Sequence, residues 1–96
     1  MEKKMEEREN KLLFLINHYG TKPQQDMAIE ELSELQKAIL KHRRYATEET
    51  KKAVIEEIAD VQVMIEQLKI MFSCKSKIDE IMDMKINRQI ERVIKR

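Results

Sequence analysis

Glu57 and Asp60 stand three residues apart in the run IEEIADVQVMIEQLK, whose apolar positions recur at helical spacing. Turned at helical pitch, Ala53, Val54, Val61, Met64, Leu68 and Met71 form one stripe, and the two acids fall in the middle of it. A carboxylate on a core face costs several kcal/mol unless it is neutralised, paired or coordinated. Two of them one turn apart also repel, by roughly 3 to 4 kcal/mol at about 4 to 6 Å and an effective dielectric of about 20. Something must offset that charge.

An upstream helix repeats the anomaly in milder form. Its principal seam is expected through Ala28, Leu32, Leu35 and Ile39, with a second stripe through Met27, Glu31, Glu34 and Ala38. Gln24, two turns before Glu31, falls on the same side. Four carboxylates presented by two helices suit a hard divalent cation, Mg²⁺ or Mn²⁺, held by oxygen alone. Neither histidine nor Cys74 stands at zinc-ligand spacing, and no Glu-x-x-His pair exists for a di-iron centre. The plainer reading leaves Glu31 and Glu34 as solvated residues and gives Glu57 and Asp60 a buried lysine or arginine partner.

Cations are patterned as well. On the last helix Ile78, Met82, Ile86, Gln89 and Val93 form the expected seam, and beside it run Ile81, Lys85, Arg88 and Arg92. Bases at the edge of an acidic, cation-holding interior are what a polyphosphate requires, although a simple solvated face gives the same pattern. With one glycine in the chain, no glycine-rich phosphate loop is available.

The string Glu30-Glu31-Leu32-Ser33-Glu34, followed after 22 residues by Glu57-Ile58-Ala59-Asp60, resembles the EExxE…ExxD signature of the MazG-like all-α nucleoside triphosphate pyrophosphohydrolases. Lys85-Ile86-Asn87-Arg88 is similar to the K-x-N-R element of their small single-domain bacterial and phage members. The resemblance extends from about Gln24 to Val93. It implies Mg²⁺-dependent hydrolysis of a nucleoside triphosphate to the monophosphate and pyrophosphate. By that resemblance Glu31, Glu34, Glu57 and Asp60 are the metal ligands, and Glu30 is an outer acid that orients water. Lys85, Arg88 and Asn87 contact phosphate. Apart from the resemblance, a substrate pocket between helices is expected to draw on Gln24, Phe14, His18 or Tyr19. Longer members carry asparagine where this chain has Asp83. The family assembles as dimers or tetramers, so a homodimer or homotetramer is expected. The alternative from another class is a non-catalytic helical nucleotide-binding or assembly module.

Four helices are expected to position these groups in one domain, 1–96. The first runs from about Lys3 to Tyr19 and is closed by Gly20, and the second runs from about Pro23 to Arg44. Thr47, followed by Glu48 and Glu49, caps a third helix reaching about Phe72. Ser76 with Asp79 resembles a capping box and opens a fourth, which ends at Lys95 and Arg96. The short connections predict an antiparallel four-helix bundle.

Composition agrees. Two Gly/Pro in 96 residues cannot supply the turns of a β-sandwich, and one cysteine cannot make an internal disulfide framework. Nineteen bases against eighteen acids give a net charge of +1, which excludes the broad basic field of a nucleic-acid binder. The charged start MEKKMEEREN and the short run Leu12 to Ile16 predict neither export nor a membrane span, so a cytoplasmic protein is expected.

Overall fold

In the computed structural model, which describes residues 2–95, the chain is an all-α four-helix fold. The helices are α1 (Glu2–Tyr19), α2 (Thr21–Arg44), α3 (Glu48–Met71) and α4 (Lys75–Ile94). No strand occurs among the described residues, and none of the helices is long and apolar enough to cross a membrane.

Each boundary has a local cause. Gly20 adopts φ 100°, a backbone state open to glycine, and a Cβ there would meet Pro23 Cδ at 3.4 Å. Thr47 caps α3 as expected: its hydroxyl accepts from the Thr50 amide at 3.1 Å, while the Thr47 amide donates to Thr50 Oγ1 at 3.0 Å. At the other end of α3, Ser73 takes φ 50° and donates to the Ile70 carbonyl, and Cys74 donates to that of Lys69. This is a Schellman ending with serine where glycine usually stands. The expected Ser76 capping box does not form. The N-cap of α4 is Cys74, without a side-chain hydrogen bond, so Ser76 already lies inside the first turn.

The α2–α3 hairpin is the organising unit. Three contacts fix its direction: Gln24 meets Gln67, Glu31 meets Glu57 and Asp60, and His42 meets Thr50, so numbering rises along α2 as it falls along α3. The inward residues of α2 are Gln24, Ala28, Glu31, Leu35, Ala38 and His42, alternating by four and three. Thr50, Val54, Glu57, Val61, Met64 and Leu68 repeat that alternation on α3. This is the a/d seam of an antiparallel coiled coil. It corrects the seam expected for α2, since Leu32 and Ile39 are 51% and 43% exposed. On α3 the expected stripe holds except at Ala53, which is exposed.

Helix α1 covers only one end of this hairpin. Leu12 and Ile16 are buried beside the half that holds Gln24, Ala28, Val61, Met64 and Gln67. In the other half, residues 31–44 and 48–60, Thr50 alone is buried. Among the described residues helix α4 packs chiefly against α3, and of its expected seam Ile78 is half-buried while Met82, Ile86, Gln89 and Val93 are exposed. Its apolar stripe finds no opposing surface within one chain.

The area reflects that. The chain exposes 8476 Å², whereas a compact monomer of its 11.5 kDa exposes roughly 5,800 Å². Its radius of gyration is 16.5 Å against roughly 12.5 Å for a compact domain of this length.

Candidate metal centre

Glu31 projects from the centre of α2 and Glu57 from the facing position of α3, both at seam positions that a coiled coil ordinarily fills with aliphatics. Asp60, one turn on, reaches the same point from the flank. One carboxylate oxygen from each of the three lies within 4.8 Å of the others. Glu31 and Glu57 are half-buried and Asp60 is exposed, so the group opens to solvent on one side.

Two consequences mark the cluster electrostatically. Oε2 of Glu57 is buried and has no hydrogen-bond partner. Such an atom loses hydration without recovering it, which is a net cost. Partial burial also raises the Glu31 carboxyl above the ordinary carboxylate range, reinforced by the charges of Asp60, Glu57 and Glu30 and by a hydrogen bond shared with Asp60. No cation is among the groups acting on it. The ion pairs among the described residues, Glu34 with Lys37 and Glu66 with Lys69, include neither Glu57 nor Asp60, so the lysine or arginine partner of the plainer reading is not found there.

A hard cation fits the arrangement. Adjacent oxygens of an Mg²⁺ octahedron are roughly 3.0 Å apart and opposite ones roughly 4.2 Å, so three oxygens within 4.8 Å of one another must draw together to share one ion. Three carboxylates also supply the negative charge that such ions require.

The remaining expected site residues divide. Glu34 does not join the triad; it is exposed and pairs with Lys37 at 3.7 Å, one turn away on α2. Glu30 is exposed and acts on Glu31 through its charge. Gln24 is not in an open pocket: it is 7% exposed, and its Nε2 donates to Gln67 Oε1 at 2.8 Å in the core. Lys85, Asn87 and Arg88 are exposed on the free part of α4, where Lys85 and Arg88 line a shallow depression with Gln89 and Arg92. The single chain does not bring these bases to the acids. A recess of about 730 Å³ lies elsewhere, between α1, the end of α3 and the start of α4.

Two polar layers escape inspection of acids and bases alone. Gln67 is 1% exposed and completes the pair with Gln24. His42 Nδ1 lies 2.8 Å from Thr50 Oγ1, which is also 2.7 Å from the Tyr45 carbonyl oxygen. The readable signal for both was the four-three alternation on each helix, which places Gln24 opposite Gln67 and His42 opposite Thr50. Comparison with family models, with curated proteins and with solved structures matches nothing to this chain.

Proposed function

We propose that the chain is a Mg²⁺-dependent nucleoside triphosphate pyrophosphohydrolase, cleaving between the α and β phosphates to give a monophosphate and pyrophosphate. The observation that carries this reading is the buried, partnerless Oε2 of Glu57 inside a triad with Glu31 and Asp60. An uncompensated acidic group in a helical seam is a liability for a scaffold, and it becomes useful once a divalent cation is held there. The EExxE…ExxD spacing that carries the family resemblance names the same three acids together with Glu34 and Glu30.

In this reading Glu31, Glu57 and Asp60 hold the ion, with Glu34 one turn along the same side of α2. The ion supplies Lewis acidity toward phosphate and lowers the pKa of water. Glu30 orients the attacking water and accepts its proton. Lys85 and Arg88, which the single chain leaves apart from the acids, would neutralise charge on the phosphates once brought to them, with Asn87 as a further contact. A water attacks the α phosphorus, the bridging bond to the β phosphate breaks, and pyrophosphate leaves.

The test is pyrophosphate release from a panel of dNTPs and NTPs with Mg²⁺, run beside Glu57→Gln and Asp60→Asn. Release by the native chain, lost in both variants, is expected. No release from any substrate, together with no binding of Mg²⁺ or Mn²⁺, overturns the proposal. Binding of metal and nucleotide without release selects the non-catalytic module instead.

A further inference from the structure

The recess of about 730 Å³ shares no residue with the acidic triad. Leu12, buried on α1, and Ile70, half-buried near the end of α3, line it together with the exposed Met5. Each of the three helices around it also brings one base and one acid: Arg8 and Glu9 from α1, Lys69 and Glu66 from α3, and Lys75 and Asp79 from α4. Helical spacing explains why they share the recess. Arg8 and Glu9 fall between Met5 and Leu12, which stand two turns apart on one face of α1, and Lys75 and Asp79 are one turn apart on α4. Only the α3 couple is joined, Lys69 Nζ to Glu66 Oε2 at 3.0 Å. Arg8, Glu9, Lys75 and Asp79 belong to none of the ion pairs among the described residues. Two bases and two acids thus border an apolar lining with their charges unmatched.

We infer that this recess binds a short apolar peptide with free ends, its carboxylate held by Arg8 or Lys75 and its ammonium by Glu9 or Asp79. Size comes first: sites for small organic molecules run to about 300 to 1,000 Å³, so the recess takes a molecule rather than a lone ion. Charge then decides the class. An anion attracted to Arg8 and Lys75 is repelled by Glu9 and Asp79, and a cation meets the reverse. A neutral apolar molecule covers all four charges and strips water from them without replacing it. A zwitterion with an apolar body meets both signs at once and lays that body on Leu12, Ile70 and Met5. A free amino acid carries its two charges on one carbon. The ends of a peptide stand apart, as the charges of α1 and α4 do across the recess. None of this rests on the acidic triad. The competing arrangement is closure of α4 on α1, with Arg8 meeting Asp79 and Lys75 meeting Glu9 in place of a ligand.

Methyl NMR of the full chain tests it with leucyl-leucine as the probe, beside the same dipeptide acetylated at its amine, amidated at its carboxyl, or capped at both ends. The methyl resonances of Met5, Leu12 and Ile70 are expected to shift as the free dipeptide is added to roughly 10 mM. Each cap is expected to weaken binding by about two- to fivefold, the worth of a partly exposed ion pair. Arg8→Gln and Asp79→Asn are expected to weaken the free dipeptide by a similar factor and to leave the doubly capped one unchanged. Lys11→Gln, at an exposed position outside the recess lining, is expected to change neither. The cap series on the native chain keeps the test decisive where a variant folds poorly. Absence of shifts, shifts confined to other residues, or equal binding of the free and doubly capped dipeptides overturns the inference. So does closure of α4 on α1, read as a lowered Tm of the ligand-free chain in both Arg8→Gln and Asp79→Asn with no response of the three residues' methyls to the peptide.

Discussion

Glu57 faces Glu31 across the α2–α3 seam, and its Oε2 is sealed from solvent without a hydrogen-bond partner. In the metal-free protein this contact opposes folding, since two carboxylates share a half-dry space with Asp60 beside them. Glu57→Gln removes one charge at nearly constant volume. The expected outcome is a more stable metal-free protein, by about 1 kcal/mol or roughly 4 to 8 °C in Tm. The native chain responds oppositely to Mg²⁺, gaining about 2.7 kcal/mol at a hundredfold excess over Kd, and the variant loses that gain. Thermal melts of both proteins with and without Mg²⁺ check both signs.

The pH dependence follows from the raised Glu31 carboxyl. Its folded value lies above the unfolded one, so between the two the folded state binds more protons than the unfolded state. Stability of the metal-free chain therefore increases as pH falls through the raised folded value, until the ordinary carboxylate value is reached. Above the folded value the full penalty applies. The difference in stability between Glu31→Gln and native is expected to be largest near neutral pH and to shrink on acidification. Saturating Mg²⁺ reverses the slope, because protons then compete with the ion. Denaturant titrations across that interval, with and without Mg²⁺, measure it.

The four helices were legible because glycine and proline are confined to one junction, residues 20–23, and because Thr47 with Thr50 marks the start of α3. Glu57 was legible for a related reason: it interrupts an aliphatic stripe, whereas Asp60, expected within that stripe, lies exposed on its flank. The seam of α2 was not legible. Leu32 and Ile39 are more hydrophobic than Gln24, Glu31 and His42, yet the polar residues face α3 and the aliphatics face outward. Hydrophobicity ranks residues by what they prefer to bury, and in a chain with two apolar flanks it cannot say which partner does the burying. The same ambiguity hid α4, whose stripe is well formed but unopposed within the chain.

Gln24 and Gln67 form a polar layer in the α1-covered half of the seam, with a 2.8 Å bond between side chains 7% and 1% exposed. Replacing one partner strands the other. Gln67→Leu leaves the Gln24 amide buried without its acceptor, at a cost of about 1 to 3 kcal/mol. Gln24→Leu with Gln67→Leu removes both polar groups and is expected to recover most of that loss, so the double-mutant cycle shows strong coupling. Urea denaturation of the native chain, the two single variants and the double variant gives the four stabilities required.

Thr50 ties the hairpin tip together. Its hydroxyl accepts from the Thr47 amide, meets His42 Nδ1 and donates to the Tyr45 carbonyl, and the residue is 8% exposed. Thr50→Val keeps the shape and removes the hydroxyl, leaving three groups to find other partners. A loss of about 2 kcal/mol is expected, somewhat above that of an ordinary cap. The amides of residues 45–50 should also exchange faster with solvent, which hydrogen exchange by NMR resolves residue by residue.

Ser73 holds φ 50° at the end of α3, where it supplies one of the two amide bonds that close the helix. A side chain in this left-handed state costs roughly 1 to 2 kcal/mol, because Cβ crowds the following carbonyl. Ser73→Gly removes the crowding but gives the unfolded chain more freedom, which returns roughly 0.4 to 1 kcal/mol. The net expectation is a gain of about 0.5 to 1 kcal/mol. Ser73→Val should act in the opposite direction, since a β-branched side chain tolerates this conformation worst. Opposite shifts in the denaturation midpoint, with the m-value unchanged, identify backbone strain as the cause. Equal losses in both variants would mean instead that the serine side chain itself matters here.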